Sequence, residues 1–202
     1  MPKTIIALAG SPRKRGATGM LMGAAIKGAK DIGVNVEIIY ANNMNIKPCQ
    51  GNGHCLKLNG CIYQDDMSMF QDSFLAADGF IISSPVYFGS VTAQLKTIID
   101  RCQVFWAIKQ NNKTVPIGGK WRPLLFIATS GLDNKRGDRF DGSLEVIKNL
   151  GYALDFNIFK TVLVANTDQM PLLENSPEIA QAYQAGKSLG DEIFKEVDVC
   201  NG

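Results

Sequence analysis

Short apolar runs alternate along this chain with longer stretches in which apolar residues recur every three or four positions. Runs covering 4–9, 34–40, 79–84, 123–129 and 157–164 are rich in β-branched residues and read as strands. Between them, Met20, Leu21, Ala24, Ala25, Ala29 and Ile32 fall on one helical face, and Met67, Phe70, Phe74 and Leu75 on another. Leu95, Ile98, Ile99, Cys102 and Trp106 predict a third helix, with Cys102 in the core. Phe140, Leu144, Ile147 and Leu150 predict a fourth. A last helix from near Pro177 carries Ile179, Tyr183, Leu189, Ile193 and Val197. Five strands alternating with five helices predict an α/β fold: one doubly wound parallel sheet ordered 2-1-3-4-5, helices on both faces, in a single domain over 1–202.

In such a sheet ligands sit beyond the carboxyl ends of the strands, where strand order reverses, here between strands one and three. Strand one runs through Gly10-Ser11-Pro12-Arg13-Lys14-Arg15-Gly16-Ala17-Thr18 into the first helix. Free first-turn amides and the helix dipole face that loop, Ser11 and Thr18 offer hydroxyls and Arg13 a guanidinium. Gly10 and Gly16 are spaced wrongly for a Walker A loop, and Ala17 stands where its lysine belongs; no second glycine follows at the dinucleotide spacing. A monophosphate cradle remains, beside an ordinary turn with a solvated basic run. Strand three enters Pro85-Val86-Tyr87-Phe88-Gly89-Ser90, which sets aromatic surface beside free amides. Strand four enters Thr129-Ser130-Gly131. A phosphate site facing an aromatic wall predicts flavin mononucleotide (FMN), unless Tyr87 and Phe88 merely pack the sheet edge.

Composition narrows the class. With 46% hydrophobic and 20% charged residues the 202-residue chain is of globular type, and a net charge of +2 is too small to argue for nucleic acid or membrane, so neither is expected as a partner. No apolar run reaches membrane-spanning length. A strand starting almost at Met1 leaves little room for a leader, so a cytoplasmic location is expected. The polar stretch 111–120 reads as a surface excursion. Asp65-Asp66 reads as the cap and acidic first turn of a helix. Of five cysteines, Cys49, Cys55 and Cys61 fall in the long Asn42–Gln64 loop, which points to a metal, a redox pair or free thiols.

The set Gly10-Ser11-Pro12-Arg13 with Gly16-Ala17-Thr18, Ile46-Lys47-Pro48-Cys49, Gly60-Cys61 with Asp65-Asp66-Met67, and Ser84-Pro85-Val86-Tyr87-Phe88-Gly89 resembles the NAD(P)H-dependent FMN reductases of flavodoxin-like fold, and among them the iron–sulfur flavoproteins. The resemblance implies FMN phosphate on Ser11, Arg13, Gly16, Ala17 and Thr18. The ring would lie against Pro85, Val86, Tyr87, Phe88 and Gly89, its pyrimidine edge near Thr129, Ser130 and Gly131. Ala17 replaces the family's usual Asn. The activity implied is hydride uptake from NAD(P)H and reduction of a flavin, quinone, metal or iron–sulfur partner. The alternatives are a non-catalytic electron carrier served by a ferredoxin-like protein, or a cysteine-based redox sensor. A homodimer or homotetramer is implied, with the Cys loop and Phe105-Trp106 as interface candidates. The cluster signature is incomplete: Cys49, Cys55 and Cys61 match three positions, but Asn52 occupies the second. Zinc on these thiols with His54, or free thiols, stand beside iron.

Overall fold

A computed structural model describes residues 2–58, 60–112 and 121–198. The chain runs β1 (Thr4–Ala9), α1 (Ala17–Asp31), β2 (Asn35–Tyr40), a 3-10 turn (Ala41–Asn43), α2 (His54–Leu58), α3 (Met67–Ala76), β3 (Gly79–Pro85), α4 (Ala93–Arg101), α5 (Gln103–Asn112), β4 (Arg122–Thr129), α6 (Asp141–Leu154), β5 (Phe156–Val164) and α7 (Pro177–Asp198). The strands form one parallel sheet ordered β2-β1-β3-β4-β5, as the alternation predicted. β3 and β4 are buried along their whole length, the continuous apolar character expected of central parallel strands.

Each face of the sheet carries its own core. On one, α1 and α7 cover Ile5, Ala7, Ile81, Leu125 and Ile127. The two helices approach closely, because a Cβ on Gly28 would lie 2.1 Å from the Tyr183 carbonyl oxygen and one on Gly186 1.9 Å from that of Ala25. On the other face, Ile6, Leu8, Phe80, Ile82 and Phe126 meet α3, α4, α5 and α6. A file of rings, Phe70–Phe74–Phe80–Phe156, runs through it with centroids 5.2–6.0 Å apart. Arg122 closes its end. Its guanidinium lies 4.7 Å from the Phe80 ring and donates to the carbonyls of Phe74 (2.5 Å), Ala77 (3.0 Å) and Leu154, tying together the ends of α3 and α6. Burial pushes its pKa down to about 10.

Three departures from the sequence reading bear on the site. The single helix expected across Leu95–Trp106 is two, α4 and α5, broken at Cys102. The Cys102 amide is shared between the carbonyls of Ile98 (3.1 Å) and Ile99 (3.0 Å), the tightening of a helix end, and neither Gly nor Pro marks it. Cys102 is buried as expected, and desolvation pushes its thiol up to about 12. Phe105, read as an interface candidate, is in the core. The Cys loop contains a short helix, α2, that its Gly-rich composition concealed; the five expected helices are seven α-helices among the described residues. Most of the polar stretch 111–120, and the side chain of Val197, lie outside the described residues.

Candidate functional site

The parallel register brings the carboxyl ends of β1, β3 and β4 level: Ala9 pairs with Ser83, and Pro85 with Thr129. The three loops leaving them face one cleft of about 650 Å³. Every cofactor-binding position expected from the sequence lines it: Ser11, Arg13, Gly16, Ala17 and Thr18; Pro85, Val86, Tyr87, Phe88 and Gly89; Thr129, Ser130 and Gly131.

Gly10 fixes the first loop. Its amide donates to the Ser83 carbonyl (2.7 Å), and a Cβ there would lie 2.7 Å from that oxygen and 2.8 Å from Leu95, so only glycine fits. Ser11 Oγ accepts the Arg13 amide (3.2 Å), which folds the loop back on itself. The Ser11 hydroxyl is thus engaged with the loop's own backbone. The α1 helix begins at Ala17 behind Gly16, with no side-chain cap and no acidic residue in its first turn. Its first-turn amides and positive dipole end are therefore left to the cleft. By contrast α4 is capped by Thr92, whose hydroxyl accepts the Leu95 amide and donates to the Gly10 carbonyl (2.6 Å). Thr18 Oγ1 and Thr129 Oγ1 lie 2.6 Å apart, buried, joining the first and third loops. One hydroxyl donates to the other, and the acceptor's own proton remains free. Lys14 is directed away, over the Tyr40 ring at 4.2 Å.

The second loop is a tight turn. Tyr87 and Ser90 exchange backbone hydrogen bonds (2.9 and 3.1 Å), and the two residues between them, Phe88 (φ 50°) and Gly89 (φ 80°), both have positive φ, as in a type I′ turn. Phe88 holds this conformation with its ring wholly in solvent, at 110% relative exposure. On the far wall stand four residues that the sequence reading missed: Leu132, Arg139, Thr167 and Asp168. Thr167 and Asp168 follow the carboxyl end of β5, a signal the topology offered and the motif reading left unused. The Thr167 hydroxyl donates to the Ser130 carbonyl (3.1 Å). The Asp168 carboxylate abuts Gly131, where a Cβ would meet its Oδ2 at 2.2 Å. Arg139 is anchored by Nε to the Asp133 carbonyl (3.2 Å) and by its amide to Asn134 Oδ1 (3.0 Å).

The three clustered cysteines line a separate cavity of about 380 Å³ with Asn52, His54, Tyr63 and Arg101. They do not converge: among the described residues no three His, Cys, Asp or Glu side chains form a group able to hold a metal ion. Asn52 Oδ1 accepts the His54 amide (3.1 Å). The carboxylates read as helix caps stand at the start of α3, Asp66 at its N-cap position, and also tie the loop down. Asp66 accepts the Asn45 amide (2.8 Å), and Asp65 accepts those of Lys47 (3.1 Å) and Met67 (3.2 Å). Asp65 also forms a fork with Arg101 (2.6 and 3.1 Å), which donates to the Lys47 carbonyl (2.8 Å). Both side chains of this ion pair are buried. Burial alone would raise the Asp65 carboxyl, but Arg101 and the two amides outweigh it and hold it below the usual range.

A parallel sheet ordered 2-1-3-4-5, with an uncapped helix end and an aromatic turn across one crevice at the strand-order reversal, defines a flavodoxin-like α/β protein. The chain belongs to the NADPH-dependent FMN reductase family, whose description matches residues 4–145. An iron–sulfur flavoprotein of Methanosarcina thermophila is 37% identical over 97 residues, 48% of this chain and 51% of that protein. One from Archaeoglobus fulgidus is 36% identical over 150 residues, 74% of this chain and 70% of that protein. The chain spans about half the length of several of the curated relatives it matches. Among solved structures, an NAD(P)H:quinone oxidoreductase from Methanothermobacter marburgensis superposes with a TM-score of 0.71 at 13% identity, over 94% of this chain and 96% of that one, a likeness of fold. Among the described residues no helix is long and apolar enough to cross a membrane.

Proposed function

We propose that this chain is an FMN-dependent oxidoreductase that takes hydride from NAD(P)H and hands two electrons to an acceptor. The observation that carries the reading is the convergence of three loops, distant in sequence, on one cleft whose floor is an uncapped helix N-terminus. The donor set fits a phosphate monoester. It comprises first-turn amides of α1, the Arg13 guanidinium and the free hydroxyl proton of the Thr18–Thr129 pair. Ala17 supplies only its amide. The Tyr87–Ser90 turn and the Thr129–Gly131 backbone offer an apolar wall and amides to a flat heteroaromatic ring. FMN, when bound, supplies the hydride and electron chemistry; the protein positions it and shields it from water. Arg139 flanks the cleft with its terminal nitrogens unpaired among the described residues, and is assigned to the phosphates of the incoming nicotinamide nucleotide. The acceptor class proposed is flavin, quinone or metal ion, the assembly a homodimer or homotetramer, and the location cytoplasmic.

Titration calorimetry of the apoprotein with FMN and with riboflavin tests the reading, followed by steady-state oxidation of NADPH and NADH. FMN is expected to bind more tightly than riboflavin by at least a factor of ten, about 1.4 kcal/mol, from the phosphate contacts alone. Equal affinity for the two, or no turnover with either nicotinamide, overturns it.

A further inference from the structure

We infer that the cysteine cavity holds no four-thiolate iron–sulfur cluster, and that electrons leave this protein only through the cleft, to small acceptors that enter it. The inference rests on the FMN reading above and narrows its acceptor. A cubane takes four ligands, usually thiolates, and this loop offers three with Asn52 in the remaining position. Asn52 is occupied: its Oδ1 accepts the His54 amide in the turn that launches α2, and a carboxamide is in any case a hard, neutral ligand for iron among thiolates. The thiols are spread over three different environments. Cys49 is exposed to solvent. Cys55 sits on α2 and packs against the core beneath the sheet. Cys61 lines the cavity with Arg101, whose guanidinium is committed to the Asp65 carboxylate (2.6 and 3.1 Å).

What a cluster would do for such a loop, hydrogen bonds do here. Asp65, Asp66 and Arg101 bind the backbone at Asn45 and Lys47, and Gln50 Nε2 donates to the Pro48 carbonyl (3.2 Å). The chain thus keeps the loop of a cluster-bearing fold while replacing the metal's structural role. The functional consequence is that, among the described residues, no metal relay leads from the cleft to another surface. Nicotinamide and acceptor then use the same cleft of about 650 Å³ in turn. The balance closes without a one-electron partner: NAD(P)H loses a hydride, and a quinone gains its two electrons and proton plus one solvent proton to give the hydroquinone. Flat molecules such as quinones or free flavin fit this route; a bulky protein acceptor does not.

The test uses anaerobic reconstitution of the full chain with ferrous iron, sulfide and a thiol reductant. Desalting follows, then measurement of iron, acid-labile sulfide and flavin. Wild type is expected to lose its iron and sulfide to background and to show no brown charge-transfer absorbance. Stoichiometric iron and sulfide on wild type overturn the inference. A variant with Cys49, Cys55 and Cys61 all changed to Ser provides the functional arm. With flavin content unchanged, its quinone turnover should match wild type in ping-pong kinetics, and a tenfold loss contradicts the proposal. Flavin read in the same sample separates the two claims: a chain that binds neither FMN nor iron sinks the FMN reading and leaves the cluster result standing.

Discussion

Phe88 is the residue in which local strain and exposure coincide. A left-handed conformation costs a side chain with Cβ about 1–2 kcal/mol, and among the described residues nothing packs on the ring in return. Asn is the side chain that tolerates this conformation, and Asn-Gly is the preferred type I′ pair. Phe88→Asn should therefore stabilise the protein by about 0.5–1 kcal/mol, raising Tm by about 1–4 °C in a chain of this size. If the ring's work is to receive the nicotinamide or acceptor, KM rises in the same variant while FMN affinity stays put. A variant that gains stability with KM unmoved denies Phe88 any part in binding. Arg139 makes the complementary case. Arg139→Ala should raise KM for NADPH about tenfold, the loss of about 1.4 kcal/mol, without altering FMN binding in calorimetry. Loss of FMN instead would reassign this guanidinium to the flavin phosphate.

At the scale of elements, the Cys loop shows how a long segment poor in regular structure is held by one buried ion pair. Arg101 is the last residue of α4 and Asp65 precedes α3, so their fork links two helices, while both hold Lys47 between them. Arg101→Ala leaves a buried carboxylate without its partner and should cost about 3–5 kcal/mol in urea denaturation. The pair also imposes a pH dependence. The Asp65 carboxyl is depressed in the folded protein relative to its ordinary value of 3.8. Its contribution is then complete at neutral pH and lost as pH falls through the folded value, starting near about pH 5. Wild-type stability should fall more steeply over that acid range than that of Asp65→Asn, which starts lower and stays flatter. Parallel curves would show that Asp65 carries none of the acid sensitivity. None of this was legible in the sequence. Asp65-Asp66 before a helical pattern is a cap signature, and the partner at position 101 sits on a helix whose break at Cys102 carries no Gly or Pro. The strands and their order were legible because apolar runs and right-handed crossovers constrain them strongly. The first three loops of the cleft were legible from Gly, Ser and Pro spacing. Arg139, Thr167 and Asp168 were not, because a charged residue in a polar loop looks like any solvated one until the topology brings it to the same edge.

On the scale of the whole molecule, the cleft is where four βα junctions meet, and within it the protein supplies few bonds between them. The first and third loops share the Thr18–Thr129 hydroxyl contact, the second is tied by the Val86 amide to the Thr129 carbonyl (2.7 Å), and the fourth by Thr167 to Ser130. These three ties converge on β4 and its exit loop, and the first and second junctions are joined only at their base, by Thr92 Oγ1 to the Gly10 carbonyl (2.6 Å) and the Gly10 amide to the Ser83 carbonyl (2.7 Å), so a ligand that spans from α1 to the Tyr87–Ser90 turn adds a further cross-connection at the tip of that turn. Binding to the native state alone stabilises by about 2.7 kcal/mol at a ligand concentration of a hundred Kd. For a chain of this length that is a rise in Tm of about 5–11 °C. FMN should produce it, and riboflavin at the same concentration much less, if the uncapped end of α1 is the phosphate seat proposed above. Hydrogen exchange should report the same division in space. With FMN, protection is expected to rise together in residues 11–18, 86–90 and 130–132, and with riboflavin only in the latter two. Protection that rises uniformly across the sheet would mean that the ligand acts by mass action on global unfolding alone, and the first loop would lose its assignment as the phosphate seat.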